Sequence, residues 1–179
     1  DPMCGSGTIL FEAWMIAAGI APNLNRGFGF EKLHGYEPSI HEAERRKLED
    51  RMQRPEGIEL LGLEIDSPTR QTAMRIIKRH FPDAPIRIEW ADFRKFEPER
   101  PFTFVVCNPP YGIRIGEEED MRPLYRDLGE FMGRHMKGGT GGIYTANHDA
   151  APAFGGKVKH SVPLLNGSLE GRLYRLRIP

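Results

Sequence analysis

Residues 103–111 read TFVVCNPPY. The first five carry no charge and are rich in β-branched and aromatic side chains, which predicts a short buried strand. Asn108-Pro109-Pro110-Tyr111 follows at once, and its two prolines fix φ and lack N–H donors, so the strand ends there in a stiff turn. Such a turn belongs at the carboxyl edge of a parallel sheet, where ligands bind in α/β proteins. Upstream the arrangement recurs. IRIEW (86–90) is a short strand with Asp92 two residues beyond it, and IELLGLEI (58–65) is a buried strand ending on Glu64 and Ile65. The chain opens on Asp1-Pro2-Met3-Cys4-Gly5-Ser6-Gly7-Thr8, a strand-to-helix turn with no strand before it. That start is expected of a domain whose upstream part lies outside these residues.

Helices alternate with the strands. Ile9, Leu10, Ala13, Trp14 and Ala17 fall at helical spacing and predict a helix over 7–18, with Ser6 or Thr8 as its cap. Residues 19–36, rich in Gly, Pro and Asn, read as a long ordered loop, and 39–52 as a polar helix whose face is solvated. Ser67 is expected to cap a helix with Pro68 at its first position, running to about His80; Asp66 caps or turns into it. A further helix is expected over 121–136 and a strand over 142–146. Strands over 157–164 and 168–178 then form a hairpin turning at Asn166-Gly167, a strong hairpin signal. The expected architecture is one α/β domain over 1–179, a mostly parallel Rossmann-like sheet closing on an antiparallel hairpin.

The chain has 179 residues, 39% hydrophobic and 28% charged, enough for a single core. No apolar run reaches membrane-spanning length. Two cysteines, Cys4 and Cys107, are too few for a zinc site or a disulfide framework, and they read as reduced small residues in a cytoplasmic setting. The six histidines have no ligand spacing, so no metal is expected.

The residues at the strand ends carry the chemistry. Gly5 and Gly7 allow positive φ and close backbone approach. They form neither a phosphate loop, which needs its lysine, nor G-x-G-x-x-G, since position 10 is Leu. An acid at the position of Glu64 can accept hydrogen bonds from ribose hydroxyls. Asp92 either caps its loop or accepts from an adenine amino group, with Phe93 beside the ring. The amino nitrogen of a nucleobase is a poor nucleophile because its lone pair is delocalised. Acceptors on its two N–H bonds, the Asn108 side-chain carbonyl and the Pro109 backbone carbonyl, free that lone pair. The prolines keep both aimed, and Tyr111 offers a face for a base taken out of its stack.

These four sites resemble those of the class I S-adenosylmethionine-dependent methyltransferases that act on amino and amide nitrogens. The loop-helix-loop GSGTILFEAWMIAAGIAPNLNRGFGFE (5–31), NPPYGIRIG (108–116), LYRDLGE (124–130) and the terminal LLNGSLEGRLYRLRI are similar to the large-subunit ribosomal RNA guanine-N2 methyltransferases. The resemblance spans nearly the whole chain. It implies sheet order 3-2-1-4-5-7-6 with the first strand outside this chain, and an upstream THUMP RNA-binding domain. It implies that Asp1, Cys4, Gly5, Gly7 and Thr8 line the methionine side of S-adenosylmethionine. Glu64 and Ile65 would hold the ribose and flank the adenine, Asp92 and Phe93 bracket the adenine, and Asn108, Pro109, Pro110 and Tyr111 hold the target base. The sequence departs from the family at Ile113, where an acid is common. Arg114 is placed either on a phosphate or in solvent.

Lys+Arg and Asp+Glu are both 25. A domain that gripped RNA by itself would be basic, so part of the grip is expected outside this chain. The resemblance implies ribosomal RNA as the substrate, with a transfer-RNA enzyme of the same build as runner-up. An adenine-specific DNA methyltransferase would need a target-recognition domain for which there is no room. A protein glutamine methyltransferase would lack the loop at 19–31. A non-catalytic module would not need Asn108, Glu64 and Asp92.

Overall fold

The computed structural model describes residues 1–114, 117–118, 120–136 and 138–177. Helix α1 (Thr8–Ala17) follows the glycine turn, and α2 (Pro38–Glu49) follows a 3-10 turn at Gly29–Lys32. Then come β1 (Leu60–Glu64), α3 (Ser67–His80), β2 (Ile86–Trp90), a 3-10 turn (Phe93–Lys95) and β3 (Phe104–Cys107). A two-residue pair, β4 (Ile113–Arg114) and β5 (Glu117–Glu118), precedes α4 (Arg122–His135). The chain ends with β6 (Thr140–Thr145), a 3-10 turn (Ala151–Phe154), β7 (Lys157–Asn166) and β8 (Leu169–Arg177).

β1 and β2 pair in parallel, and a four-stranded sheet runs β3-β6-β8-β7, parallel at β3/β6 and antiparallel beyond. These are the 3-2 and 4-5-7-6 portions of the expected order. No described strand stands between β1 and β3; residues 1–4 lie there. The Asp1 nitrogen donates to the Leu61 carbonyl at 2.8 Å. Leu63 N donates to the Asp1 carbonyl at 2.9 Å, and Cys4 N to the Leu63 carbonyl at 3.0 Å. On the other side the Met3 backbone reaches the Cys107 thiol at the end of β3.

Two apolar clusters hold the layers. Cys4, Leu10, Phe11, Ala73, Ile77 and Ile88 join α1 and α3 to the β1-β2 pair. The larger cluster is built on α4, whose buried Tyr125, Leu128, Phe131, Met132 and His135 recur at three-to-four spacing and form one stripe. Tyr125 stacks on Phe154 at 4.3 Å, and Gly129 admits the approach: a Cβ there would lie 1.8 Å from the Phe154 carbonyl oxygen.

Local details depart from the sequence reading. Gly7, in the left-handed region with φ 89°, caps α1 in place of Ser6 or Thr8, because the turn that opens the helix needs a conformation only glycine takes cheaply. Asp66, not Ser67, caps α3, its carboxylate accepting from Thr69 N at 2.9 Å. β6 begins at Thr140, earlier than expected, and the hairpin turns at Gly167-Ser168 with Asn166 paired to Leu169. Glycine is favoured at the first central position of such a two-residue turn, and Gly167 has φ 62°. The expected strand end at Ile178 lies outside the described residues.

Residues 19–52 form an excursion. α2 buries no residue and is laced by Arg45–Glu49, Arg46–Glu42 and Lys47–Glu44 ion pairs, as a solvated helix should be. Gln53 closes its base, its N donating to the Ala18 carbonyl at 2.9 Å and its Nε2 to the Ala17 carbonyl at 3.2 Å. Among the described residues no helix is long and apolar enough to cross a membrane, and no His/Cys/Asp/Glu group could hold a metal.

Candidate active site

The glycine turn and the end of β1 are tied together by one carboxylate. Glu64 accepts from Gly5 N at 2.9 Å and from Asp66 N at 2.7 Å. A carboxylate has roughly four acceptor positions, so two remain open to a diol. Gly5 has φ 56° and open space where a Cβ would stand, so its backbone is accessible. Gly7 is closed on its other side: a Cβ there would lie 2.6 Å from the Phe11 ring. Thr8 opens α1 without capping it, so the first N–H groups of the helix have no side-chain partner. Asp1 Oδ1 accepts from Met3 N at 3.1 Å and braces the start of the turn. Cys4 is buried under it; burial pushes its thiol up to about 11 and that of Cys107 to about 12, so both are neutral and unreactive.

Ile65 and Trp90 extend this edge. Ile65 is 61% exposed and Trp90 67%, and Trp90 Nε1 donates to the Ile65 carbonyl at 2.8 Å. Ile65 thus presents an apolar shelf beside Glu64. Asp92 caps the turn that follows β2. Its carboxylate accepts from Arg94 N at 3.0 Å and forms a two-pronged pair with the guanidinium, 2.9 Å from Nε and 2.8 Å from Nη2. The hydrogen bond from Arg94 holds the Asp92 carboxyl below the usual carboxylate range. The Phe93 ring is 4% exposed and packs edge-on against Phe131 at 5.6 Å. The reason is the cap itself, which turns Phe93 inward as Asp92 and Arg94 turn out.

The Asn108-Pro109-Pro110-Tyr111 turn leaves β3 beside these groups. Three residues that sequence reasoning did not single out hold it. Tyr125, fully buried on α4, donates to the Pro110 carbonyl at 3.1 Å and shares a 2.6 Å hydrogen bond with Thr145 at the end of β6. Asn147 Nδ2 donates to the Tyr111 carbonyl at 2.9 Å, while its Oδ1 accepts from Ala150 N at 2.9 Å. Two carbonyls of the turn are therefore spent on the fold. The Pro109 carbonyl has no protein donor among the described residues. The Tyr111 hydroxyl donates to Asn108 Oδ1 at 2.5 Å and its ring meets Tyr144 edge-on at 6.0 Å. Burial raises the Tyr111 hydroxyl above its ordinary range, with the side chains of Asn166 and Asn108 within hydrogen-bond reach acting the other way. The strand-end rule that found Glu64 and Asp92 also applies to Asn147, two residues past β6. Tyr125 had only its place in the apolar stripe. The side chain of Arg114 lies outside the described residues.

A glycine turn tied to an acid after β1, with a stiff Asn-Pro-Pro-Tyr turn after β3 of a Rossmann-like mixed sheet, defines the class I methyltransferase fold. The comparisons narrow the class. Residues 1–175 match the UPF0020 model, the RMKL-like methyltransferase domain, and the chain belongs to that family. It is 35% identical over 182 residues to ribosomal RNA large subunit methyltransferase K/L of Hahella chejuensis, covering 97% of this chain and 25% of that protein. The chain thus spans about a quarter of the length of the curated relatives it matches. The crystal structure of SMU.472 complexed with SAH superposes with a TM-score of 0.88 at 27% identity, covering all of this chain and 47% of the other. A protein of Listeria monocytogenes described as a predicted N6-adenine-specific DNA methylase gives 0.85 at 29%, covering 100% and 46%.

Proposed function

We propose that this domain transfers a methyl group from S-adenosylmethionine to the exocyclic N2 of a guanine in RNA, large-subunit ribosomal RNA above all. One observation carries the reading: Asn108 Oδ1 and the donor-free Pro109 carbonyl flank the end of β3, in a turn clamped by Tyr125 and Asn147. The residues fit the cofactor. The open face of Gly5, the spare acceptor positions of Glu64 and the exposed Ile65 suit a backbone-bound tail, a ribose and an adenine in turn. The bound cofactor supplies an electrophilic methyl group on a sulfonium centre. The protein's part is orientation: both amino N–H bonds are accepted, the nitrogen lone pair is freed, and it points along the line of transfer. With the cofactor held there, the nitrogen would take the methyl group from sulfur and give up one proton to solvent. The Tyr111 hydroxyl now holds the place of a substrate N–H on Asn108, so the entering base displaces it and can use the ring as a platform.

The names of the curated relatives support ribosomal RNA. The neutral net charge and the greater length of the relatives support an upstream RNA-binding domain, and with it a cytoplasmic setting. Adenine N6 presents the same pair of N–H bonds, and the description of the Listeria structure favours it as the second reading. The test is methyl transfer by the full-length protein from labelled cofactor to unmodified ribosomal RNA, transfer RNA, DNA and protein, with digestion of the product. N2-methylguanine from ribosomal RNA is expected; label in DNA adenine or in glutamine overturns the substrate. Asn108→Ala should abolish transfer while leaving cofactor affinity within about threefold, since one preorganised acceptor is worth roughly 100- to 1,000-fold in rate.

A further inference from the structure

The charge of the chain is not evenly spread. Residues 157–177, the β7–β8 hairpin, hold Lys157, Lys159, Arg172, Arg175 and Arg177 against the single acid Glu170. The hairpin is therefore at +4 and the rest of the chain at −4. Lys157, Lys159, Arg175 and Arg177 are exposed, and none of the five cations is in an ion pair among the described residues. Register makes this costly. Lys157 stands directly opposite Arg177. Like charges at facing positions destabilise a sheet, and an anion lying across them removes that cost.

The same hairpin overshoots the sheet. Thr145, the last residue of β6, pairs with Arg172, so residues 164–171 project past the carboxyl edge where Asn108 and Tyr111 lie. The projection carries three exposed leucines, Leu164 at 44%, Leu165 at 72% and Leu169 at 42%. It is tied to the candidate site. The Tyr144 hydroxyl donates to the Leu164 carbonyl at 3.3 Å, Tyr144 meets Tyr111, and the Asn166 side chain lies beside the Tyr111 hydroxyl. Gly171 lets the Tyr144 ring lie over the β8 backbone; a Cβ there would be 2.3 Å from its hydroxyl. An open cleft of ≈ 290 Å³ lined by His148, Leu164, Glu170 and Arg172 runs beneath the tip.

We propose that the β7–β8 hairpin is the RNA-contacting element of this domain. Its cations hold the phosphates of the strand that carries the target, and its leucine tip packs against the bases flanking the target once that base leaves the stack. The inference rests on the reading of an RNA substrate. Cationic charge along the hairpin, apolar surface at its tip and an amino-group acceptor beside the tip are together what an unstacked RNA segment matches.

The test is steady-state methyl transfer by the full-length protein onto unmodified large-subunit ribosomal RNA and onto a short single-stranded oligoribonucleotide with the same target, at several salt concentrations. Wild type establishes whether RNA is the substrate: no transfer to either acceptor sinks the function reading. Given transfer, Lys159→Gln/Arg175→Gln should raise KM for the folded RNA roughly tenfold with kcat within about twofold, and should flatten the salt slope by about 1 to 2. Lys159→Arg/Arg175→Lys should behave as wild type. Leu165→Ser/Leu169→Ser should lower kcat/KM on folded RNA roughly tenfold and spare the single strand, because the tip acts on unstacking. Cofactor binding by calorimetry should be unchanged in all of them. A charge variant with wild-type KM and salt slope, or variants that lose cofactor binding in step with activity, would overturn the proposal; so would equal losses on both acceptors for the tip variant, which mark a contact with protein rather than RNA.

Discussion

Glu64 joins two segments 59 residues apart in sequence through its hydrogen bond to Gly5. It positions the glycine turn and still has acceptors to offer a ribose. Glu64→Ala removes both contributions, and cofactor affinity should fall by about 1–2 kcal/mol, the worth of hydrogen bonds to a charged acceptor; calorimetry on the full-length protein measures it, and an unchanged Kd removes Glu64 from the site. Tyr125 acts through the turn. Its hydroxyl holds the Pro110 carbonyl and pairs with Thr145 in a place without solvent. Tyr125→Phe keeps the stack on Phe154 and deletes only that hydroxyl. It should lower kcat roughly tenfold through a loosened turn while leaving cofactor Kd unchanged. A purely structural role predicts the opposite pattern, a lower melting temperature with kcat intact.

At the scale of elements, the glycine turn and the hairpin show how backbone conformation decides what a segment can present. Gly7 at φ 89° both caps α1 and leaves room for the Phe11 ring. Gly7→Ala must pay for left-handed backbone and displace that ring, so a loss of about 1–3 kcal/mol is expected, read by chemical denaturation, with cofactor binding weakened as well because the turn moves. Asp92 shows the other side of the element scale. An acid two residues past a strand end suits either a ligand or a cap, and only the presence of Arg94 in the same short turn, at 2.8 Å, gives the cap its form. In the hairpin, Asn166-Gly167 marks the bend to within one residue; the bend centres on Gly167-Ser168. That one residue matters, because a shift of one exchanges the faces of every side chain on the strand.

For the whole molecule, the sheet and its two apolar clusters carry the fold, and the 19–52 excursion does not. α2 contributes no buried residue, and the excursion leaves and returns at Ala18 and Gln53. Replacing residues 20–51 by a short Gly/Ser linker should shift the melting temperature of the full-length protein by no more than a few degrees, since no buried contact is lost. A fall of 10 °C or more would show that the excursion supports the core.

The sequence by itself determined the alternation of strands and helices, the placing of Glu64, Asp92 and Asn108 at strand ends, and the closing hairpin. These are local matters: side-chain periodicity reports which face is buried, and proline and glycine restrict or free the backbone where they stand. Only the tertiary structure decided that Gly5 rests on Glu64, that Tyr125 and Asn147 clamp the Asn-Pro-Pro-Tyr turn, that Phe93 turns inward, and that a basic hairpin overshoots the carboxyl edge of the sheet. Hydrogen bonds between residues far apart in the chain arise from how layers pack, and packing is a property of the assembled core that no local pattern of residues records.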